Sequence, residues 1–279
     1  MGEPPERLHP VVWMGWLLTR VEVGAPRREC ARLLYGAAAA TALPLAWGIA
    51  GRLIEKHAPW PLQVVVLKSA FAGKSLHTAA RRVENSLADG DLARARADLR
   101  WLVSRPTSEL NDDLIAAAAI ESLAENFVDS WVAPLLAYAL FGLGGALAYR
   151  AANTADATWG YRTDQFEWLG KVAARLDDLL NWLPARLAAL LLVLVGPRPA
   201  TALRVWRRDA RRTASPNAGQ CMAAAAGHLG VRLEKVDHYV LNPEARAACA
   251  GDIATARAII ARGMVLAAIL SVLIRAMVD

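Results

Sequence analysis

The sequence predicts a mainly α fold, a membrane-associated multi-helix bundle with a helical hairpin turning near Gly142 to Gly145. Three observations predict it. Hydrophobic residues make up 55% of the 279 positions and mean hydropathy is +0.25, too apolar for an ordinary water-soluble protein, yet 21% charged residues are too many for a bundle wholly in lipid. Uncharged runs long enough to span a bilayer punctuate the chain. Between them apolar residues recur at the three/four spacing of helices, and strand-like alternation is nearly absent. No Ser/Gly-rich or Pro-rich linker forces a split, so one domain is expected over 1–279, with a polar helical insert at roughly 74–113.

The start, "MGEPPERLHP", is acidic and proline-rich, unlike the basic opening of a secretory signal, and is expected to be retained. Leu33 to Gly51 then gives nineteen uncharged residues, enough to cross the hydrocarbon core at about 1.5 Å per residue. Pro59 to Leu67 is shorter and spans only if Lys68 snorkels. From Leu76 to Ser104 an Arg-rich stretch carrying Leu87, Leu92, Leu99 and Leu102, broken near Gly90, predicts solvent-exposed helices.

Ser130 to Tyr149 is a second run of twenty uncharged residues. Inside it Gly142, Gly144 and Gly145 can end a helix and turn the chain. Asp129 stands thirteen residues before that turn and Asp156 eleven after it, so arms of roughly 20 and 17 Å would bring both polar ends to one level. In "RLDDLLNWLPARL" the spacing of Leu176, Leu179, Leu180, Leu183 and Leu187 predicts a buried face, with Arg175, Asp177, Asp178 and Asn181 opposite. Leu187 to Pro197 and Gly263 to Ile274 are short runs that span only if Arg198 and Arg275 snorkel and that fit buried helices of a compact domain equally well, as Pro59 to Leu67 does, and "VRLEKVDHYVL" is the one strand candidate.

Lys plus Arg outnumber Asp plus Glu by 32 to 26, most densely at Arg204, Arg207, Arg208, Arg211 and Arg212. Such a cluster suits membrane lipid of the anionic kind, a phosphorylated substrate, or retention on the cytoplasmic side. No nucleic-acid-binding signature accompanies it, so no nucleic-acid partner is expected. Three dispersed cysteines and five histidines offer neither a disulfide framework nor metal-ligand spacing. No P-loop, dinucleotide fingerprint or nucleophile elbow is present.

Glu121, Glu125 and Asp129 recur every four residues and fall on one helical face just ahead of the second apolar run. Like charges so close repel, and carboxylates at the mouth of an apolar segment are costly, unless Mg²⁺ or an arginine sits among them. A second polar group is Asn153, Thr154 and Asp156, and a third is Arg175, Asp177, Asp178, Asn181 and Arg186, which alone would read as a surface ion-pair network. In "SPNAG", Ser215 suits an N-cap and Pro216 the first helical position, leaving backbone N–H groups for a phosphate beside Asn217.

Taken in order, "HPVVWMG", "GDLARARADLRWLVSR", "IESLAENFVDSWVAPL", "LAYRAANTADATWGY", "ARLDDLLNWLPARL" and "SPNAGQCMAAAAGHLGVRLEK" resemble the adenosylcobinamide-phosphate synthase family, cobalamin-biosynthesis membrane proteins that attach the aminopropanol arm to the corrin ring. The similarity runs from about His9 to Ile260. It departs at Pro106, where the family shows an acid, at Ala214 and Cys221, where proline is common, and at Asn242, where glycine is usual.

The resemblance implies a multi-pass inner-membrane ligase, its active site facing the cytoplasm, that uses ATP and Mg²⁺ to join a propionate of adenosylcobyric acid to aminopropanol or aminopropanol phosphate. It implies catalytic roles for Glu121, Glu125, Asp129, Arg175 and Arg186. Asn126, Asn153, Thr154, Asn181, Ser215 and Asn217 would bind substrate or phosphate. Glu121, Glu125 and Asp129, with Asp156, Asp177 and Asp178, would hold Mg²⁺. The alternative is a non-catalytic corrinoid-binding or signalling protein on the same scaffold. The sequence carries no signature of an oligomeric state.

Overall fold

The computed structural model describes residues 9–71, 73–161 and 163–278; the first eight residues of the start read above as retained lie outside the described residues. In chain order the elements are α1 Pro10–Val23, α2 Glu29–His57, α3 Trp60–Ser69, α4 Gly73–Ala88, α5 Leu92–Leu99 and α6 Asp112–Phe127. A π-helical turn Val128–Val132 follows, then α7 Ala133–Trp159, α8 Lys171–Leu180, α9 Trp182–Val195, α10 Pro199–Asp209 and α11 Ala218–Leu229. Three short strands, β1 Val231–Lys235, β2 Tyr239–Leu241 and β3 Arg246–Ala247, precede α12 Ala250–Val278. The mainly α expectation holds, and the one strand candidate forms β1 and β2. Among the described residues, three stretches are long and apolar enough to cross a membrane, Glu29–His57, Asp112–Trp159 and Ala250–Val278; α8 with α9 makes a fourth if counted as one broken span.

The residues group into two compact units. The first comprises Met1–Phe71, Ala133–Asn181 and Leu270–Asp279, the second Ala72–Val132 and Trp182–Ile269.

In the first unit α2 packs along α7. The seam uses small residues: a Cβ on Gly51 would lie 2.7 Å from the Gly144 Cα, so backbone meets backbone as in close-packed membrane helices. Leu34, Leu45, Ile49 and Leu53 are left exposed along α2, as lipid contact requires. Gly142 sits at φ 68°, ψ −160°, a conformation closed to side-chain-bearing residues. There the chain doubles back. A Cβ on Gly145 would stand 2.5 Å from the carbonyl oxygen of Ala137, whereas eight residues along a straight helix are about 12 Å apart. The Glu55 carboxylate caps the returning arm by accepting the Leu143 N–H at 3.2 Å. The hairpin predicted from the glycines is therefore present.

In the second unit α6 is the central element, buried from Ile115 through Ala124, with α4, α5, α11 and β1 packed around it. Its start is fixed by Asn111, whose side chain accepts the Leu114 N–H at 3.0 Å. Gly90, at φ 72°, separates α4 from α5 where the Arg-rich stretch was expected to break. β1 lies between its neighbours, antiparallel to β2 with Leu233 opposite Leu241, and parallel to β3.

One expectation is inverted in part, Arg175 being exposed as expected. In "RLDDLLNWLPARL", Leu179 is 72% exposed and Leu183 55% exposed, while Asn181 is 2% exposed and Asp177 is half-buried. Three/four periodicity locates an apolar stripe but not the medium it faces. Where apolar side chains can meet lipid, the polar face turns inward.

Candidate functional site

The polar residues singled out by sequence fall into one group in each unit.

In the first unit they form a closed hydrogen-bonded network. The returning arm of α7 carries Tyr149, Arg150, Asn153 and Thr154 at helical spacing, and α8, packed on α7, supplies Asp177, with Asn181 at its C-terminal end. Asn153 Nδ2 donates to Asp177 Oδ1 at 3.1 Å, and Asn181 Nδ2 to Asp177 Oδ2 at 2.9 Å. Asn153 accepts in turn from Arg150 Nη1 at 3.1 Å, and Asn181 from the Tyr149 hydroxyl at 2.9 Å. Asp177 is thus fixed by one amide on each oxygen. Thr154 donates its hydroxyl to the Arg150 carbonyl at 2.7 Å. Arg175 is 77% exposed at its side chain and 4.0 Å from Asp178. Asp156 lies half-buried on the same helix as Asn153.

In the second unit the three acids of the stripe part company. Glu121 is 5% exposed, Glu125 is exposed, and Asp129 is half-buried on the π-helical turn. That turn breaks the regular α-helical advance of the stripe, a device frequent at functional sites. Glu121 Oε2 receives Arg105 Nη2 at 3.3 Å, while Oε1 is buried with no hydrogen-bond partner. Tyr239 of β2 stands beside the same carboxylate, its hydroxyl 3.7 Å from Met222 Sδ. Burial first, then the charges of Glu121 and Glu125, push its phenol well above the ordinary range, so it remains a neutral donor. Asn126 bridges the helix, donating to the Ser122 carbonyl at 3.0 Å and accepting from Ser130 at 3.3 Å. Asp129 is close enough to α11 that its charge adds to burial in raising the Cys221 thiol.

Asn217 precedes Cys221 by one helical turn. Its Oδ1 accepts Arg186 Nη1 at 3.2 Å, and Arg186 also donates to the Trp182 carbonyl at 2.6 Å and lies over the Trp182 ring. Ser215 does not cap α11. The helix begins later, at Ala218, and Ser215 Oγ instead accepts the Asn217 N–H at 3.2 Å, while Thr213 Oγ accepts the Gly219 N–H at 3.1 Å. Two N–H groups expected to be open to an anion are thereby engaged, and Arg186 is the cation held at this turn.

Sequence reasoning missed Arg105, Tyr239, Tyr149 and Arg150. Arg105 ends the quoted segment "GDLARARADLRWLVSR" and Arg150 is the fourth residue of "LAYRAANTADATWGY", and an arginine partner for the acids was anticipated in kind. Tyr239 carried no signal beyond its strand. Part of the basic cluster is structural. Asp209, fully buried, receives Arg208 at 2.9 and 2.8 Å, Arg212 at 3.0 Å and the Asn242 N–H at 2.8 Å. Among the described residues, no group of three or more His, Cys, Asp or Glu side chains could hold a metal ion.

A profile of the CobD/CbiB protein family matches residues 1–267. A protein of Methanothermobacter thermautotrophicus named a probable cobalamin biosynthesis protein CobD is 43% identical over 253 residues, covering 86% of this chain and 82% of its own. Its counterpart of the same name in Methanothrix thermoacetophila is 39% identical over 98% of this chain and 92% of its own length. The Chromobacterium violaceum cobalamin biosynthesis protein CobD is 44% identical over 84% of this chain and 77% of its own. No solved structure matches.

Proposed function

The chain belongs to the CobD/CbiB family, and on that footing we propose that it is a cobalamin-biosynthesis enzyme, an adenosylcobinamide-phosphate synthase. It would join aminopropanol, or its phosphate, to a propionate of adenosylcobyric acid with consumption of ATP. The observation that carries this reading is Glu121: a buried carboxylate whose Oε2 faces Arg105 and whose Oε1 has no hydrogen-bond partner. A fully structural carboxylate in such burial would be satisfied on both oxygens.

Amide formation requires an activated propionate, because a carboxylate has no good leaving group and repels an incoming nucleophile; an acyl phosphate is the simplest activated form. The amine must also lose a proton. Glu121 Oε1 is the acceptor suited to take it, with Arg105 holding the opposite oxygen and the Tyr239 phenol standing beside the carboxylate. Arg186, presented by Asn217 and stacked on Trp182, is suited to neutralise phosphate charge. Asn126, on the same helix as Glu121, offers a fixed amide donor and acceptor for the polar periphery of a corrinoid.

The residues fit Mg²⁺ in a limited way. With no cage of three carboxylates among the described residues, an ion would be held by one or two acids, Asp129 and Glu125 being half-buried and exposed respectively, and by nucleotide phosphate oxygens. Magnesium, when bound, would supply screening of the phosphate charge.

The test is reconstitution in detergent of purified protein, adenosylcobyric acid, aminopropanol phosphate and Mg-ATP, with the corrinoid weighed by mass spectrometry. The expected product has gained one condensed aminopropanol phosphate and requires ATP. Corrinoid bound tightly without turnover would overturn the ligase reading in favour of a binding protein.

A further inference from the structure

Outside the residues discussed so far, the second unit contains a cavity of about 820 Å³ between the start of α4 and α12, within the size range of ligand sites. Two helical stripes line it. On α4 they are His77, Thr78 and Arg81; on α12 they run from Arg257 through Met264 to Ile269. The helices are antiparallel here, because Arg257 pairs with Glu84 at one end and Gly73 abuts Met264 at the other. The cations therefore gather at one end, and the other is walled by Trp131, Met264, Val265, Ala268 and Ile269. Along α12 the step from Arg257 to Ile269 is about 18 Å.

We infer that this trough binds an anionic phospholipid, with its headgroup phosphate between Arg81 and Arg257 and an acyl chain along Val265, Ala268 and Ile269. Three features argue for that occupant. α12 is one of the helices apolar enough to cross a membrane, and Val265 and Ile269 are 62% and 52% exposed on it, so the apolar end of the trough opens where acyl chains would be. The polar end has unmet polar capacity: Arg257 Nε and His77 Nε2 are buried without a hydrogen-bond partner. Charges also balance. Glu84 cancels one arginine, leaving one positive charge for the single negative charge of a phosphodiester. Basic pockets at membrane helices recognise lipid headgroups by this chemistry. A free phosphate would satisfy the polar end but leave the apolar wall uncovered.

Native mass spectrometry of the full-length protein, delipidated in detergent and offered phosphatidylglycerol or phosphatidylcholine, tests it without recourse to activity. Wild-type protein is expected to prefer phosphatidylglycerol, and Arg81→Gln to lose about fivefold in that preference. Ala268→Trp, which fills the acyl groove, should release lipid, and Arg82→Gln, on the same helix but not lining the trough, should behave as wild type. Equal retention of both lipids, or an Arg81→Gln variant with unchanged preference, would overturn the proposal. So would complete displacement of the lipid by glycerol phosphate, which would make the trough a free-phosphate site.

Discussion

Asp177 and Glu121 are both carboxylates withdrawn from solvent on helices rich in apolar residues, and their surroundings differ in kind. Asp177 accepts one side-chain amide on each oxygen, and those amides are themselves anchored by Arg150 and Tyr149. Glu121 has a cation on one oxygen and no hydrogen-bond partner on the other. A low-dielectric interior strengthens a completed network and penalises an incomplete one, so the first arrangement adds rigidity and the second keeps an acceptor open for reaction. The contrast separates a carboxylate fixed on both oxygens from one with an acceptor oxygen left over.

The largest effect that can break this contrast is on rate. Glu121→Gln keeps size and removes basicity; turnover in the reconstituted reaction should fall by about 10²–10⁴-fold, the range for a general base, while the thermal midpoint barely moves. A variant that turns over normally would return Glu121 to the structural class. Next in size is Asp177→Asn. An amide there must turn its NH₂ toward Asn153 or Asn181, leaving donor against donor, and unfolding in detergent should register a loss of about 1–3 kcal/mol. Unchanged stability would mean that the network is not what holds Asp177.

The smallest effect uses a third buried polar group, one satisfied as Asp177 is. His228 Nε2 bonds the Leu192 carbonyl at 2.9 Å and Nδ1 accepts the Arg198 N–H at 3.2 Å. Burial, partly offset by the Leu192 carbonyl and reinforced by Arg198, lowers its pKa from 6.5. The neutral ring therefore contributes stability fully above pH 6.5, and that contribution drains as pH falls through the lowered pKa, because the unfolded chain binds the proton first. The slope of thermal stability between about pH 7.5 and 5 should flatten in His228→Gln; an unaltered slope would mean that the ring titrates freely.

Much of this was readable in the chain. Gly142, Gly144 and Gly145 announced the turn because few other residues permit it, and Gly90 announced the α4–α5 break for the same reason. The polar residues of the site were legible as types at a spacing. Their environments were not. Glu121, Glu125 and Asp129 share a stripe in projection, yet the first is buried and the second exposed, since what covers a helix face comes from α11, β1 and β2, distant in sequence. The α8 stretch was misread for a related reason: amphipathic period has no sign until the surrounding medium is known. Arg105 and Tyr239 reach Glu121 from well before it and far after it in the chain, and no local pattern ties them to it.

The reversal at Gly142 also bears on how the chain is threaded through a bilayer. Hydropathy counts Asp112–Trp159 once, as a single passage that would leave its two flanks in different compartments. With Gly145 lying against Ala137, α7 comes back along its own path, so Ala133 and the far end of the returning arm face the same way. Sidedness depends on the parity of crossings, and a hairpin contributes an even number. Apolar length alone therefore does not give the number of crossings this stretch makes, because the break at Gly142 divides it.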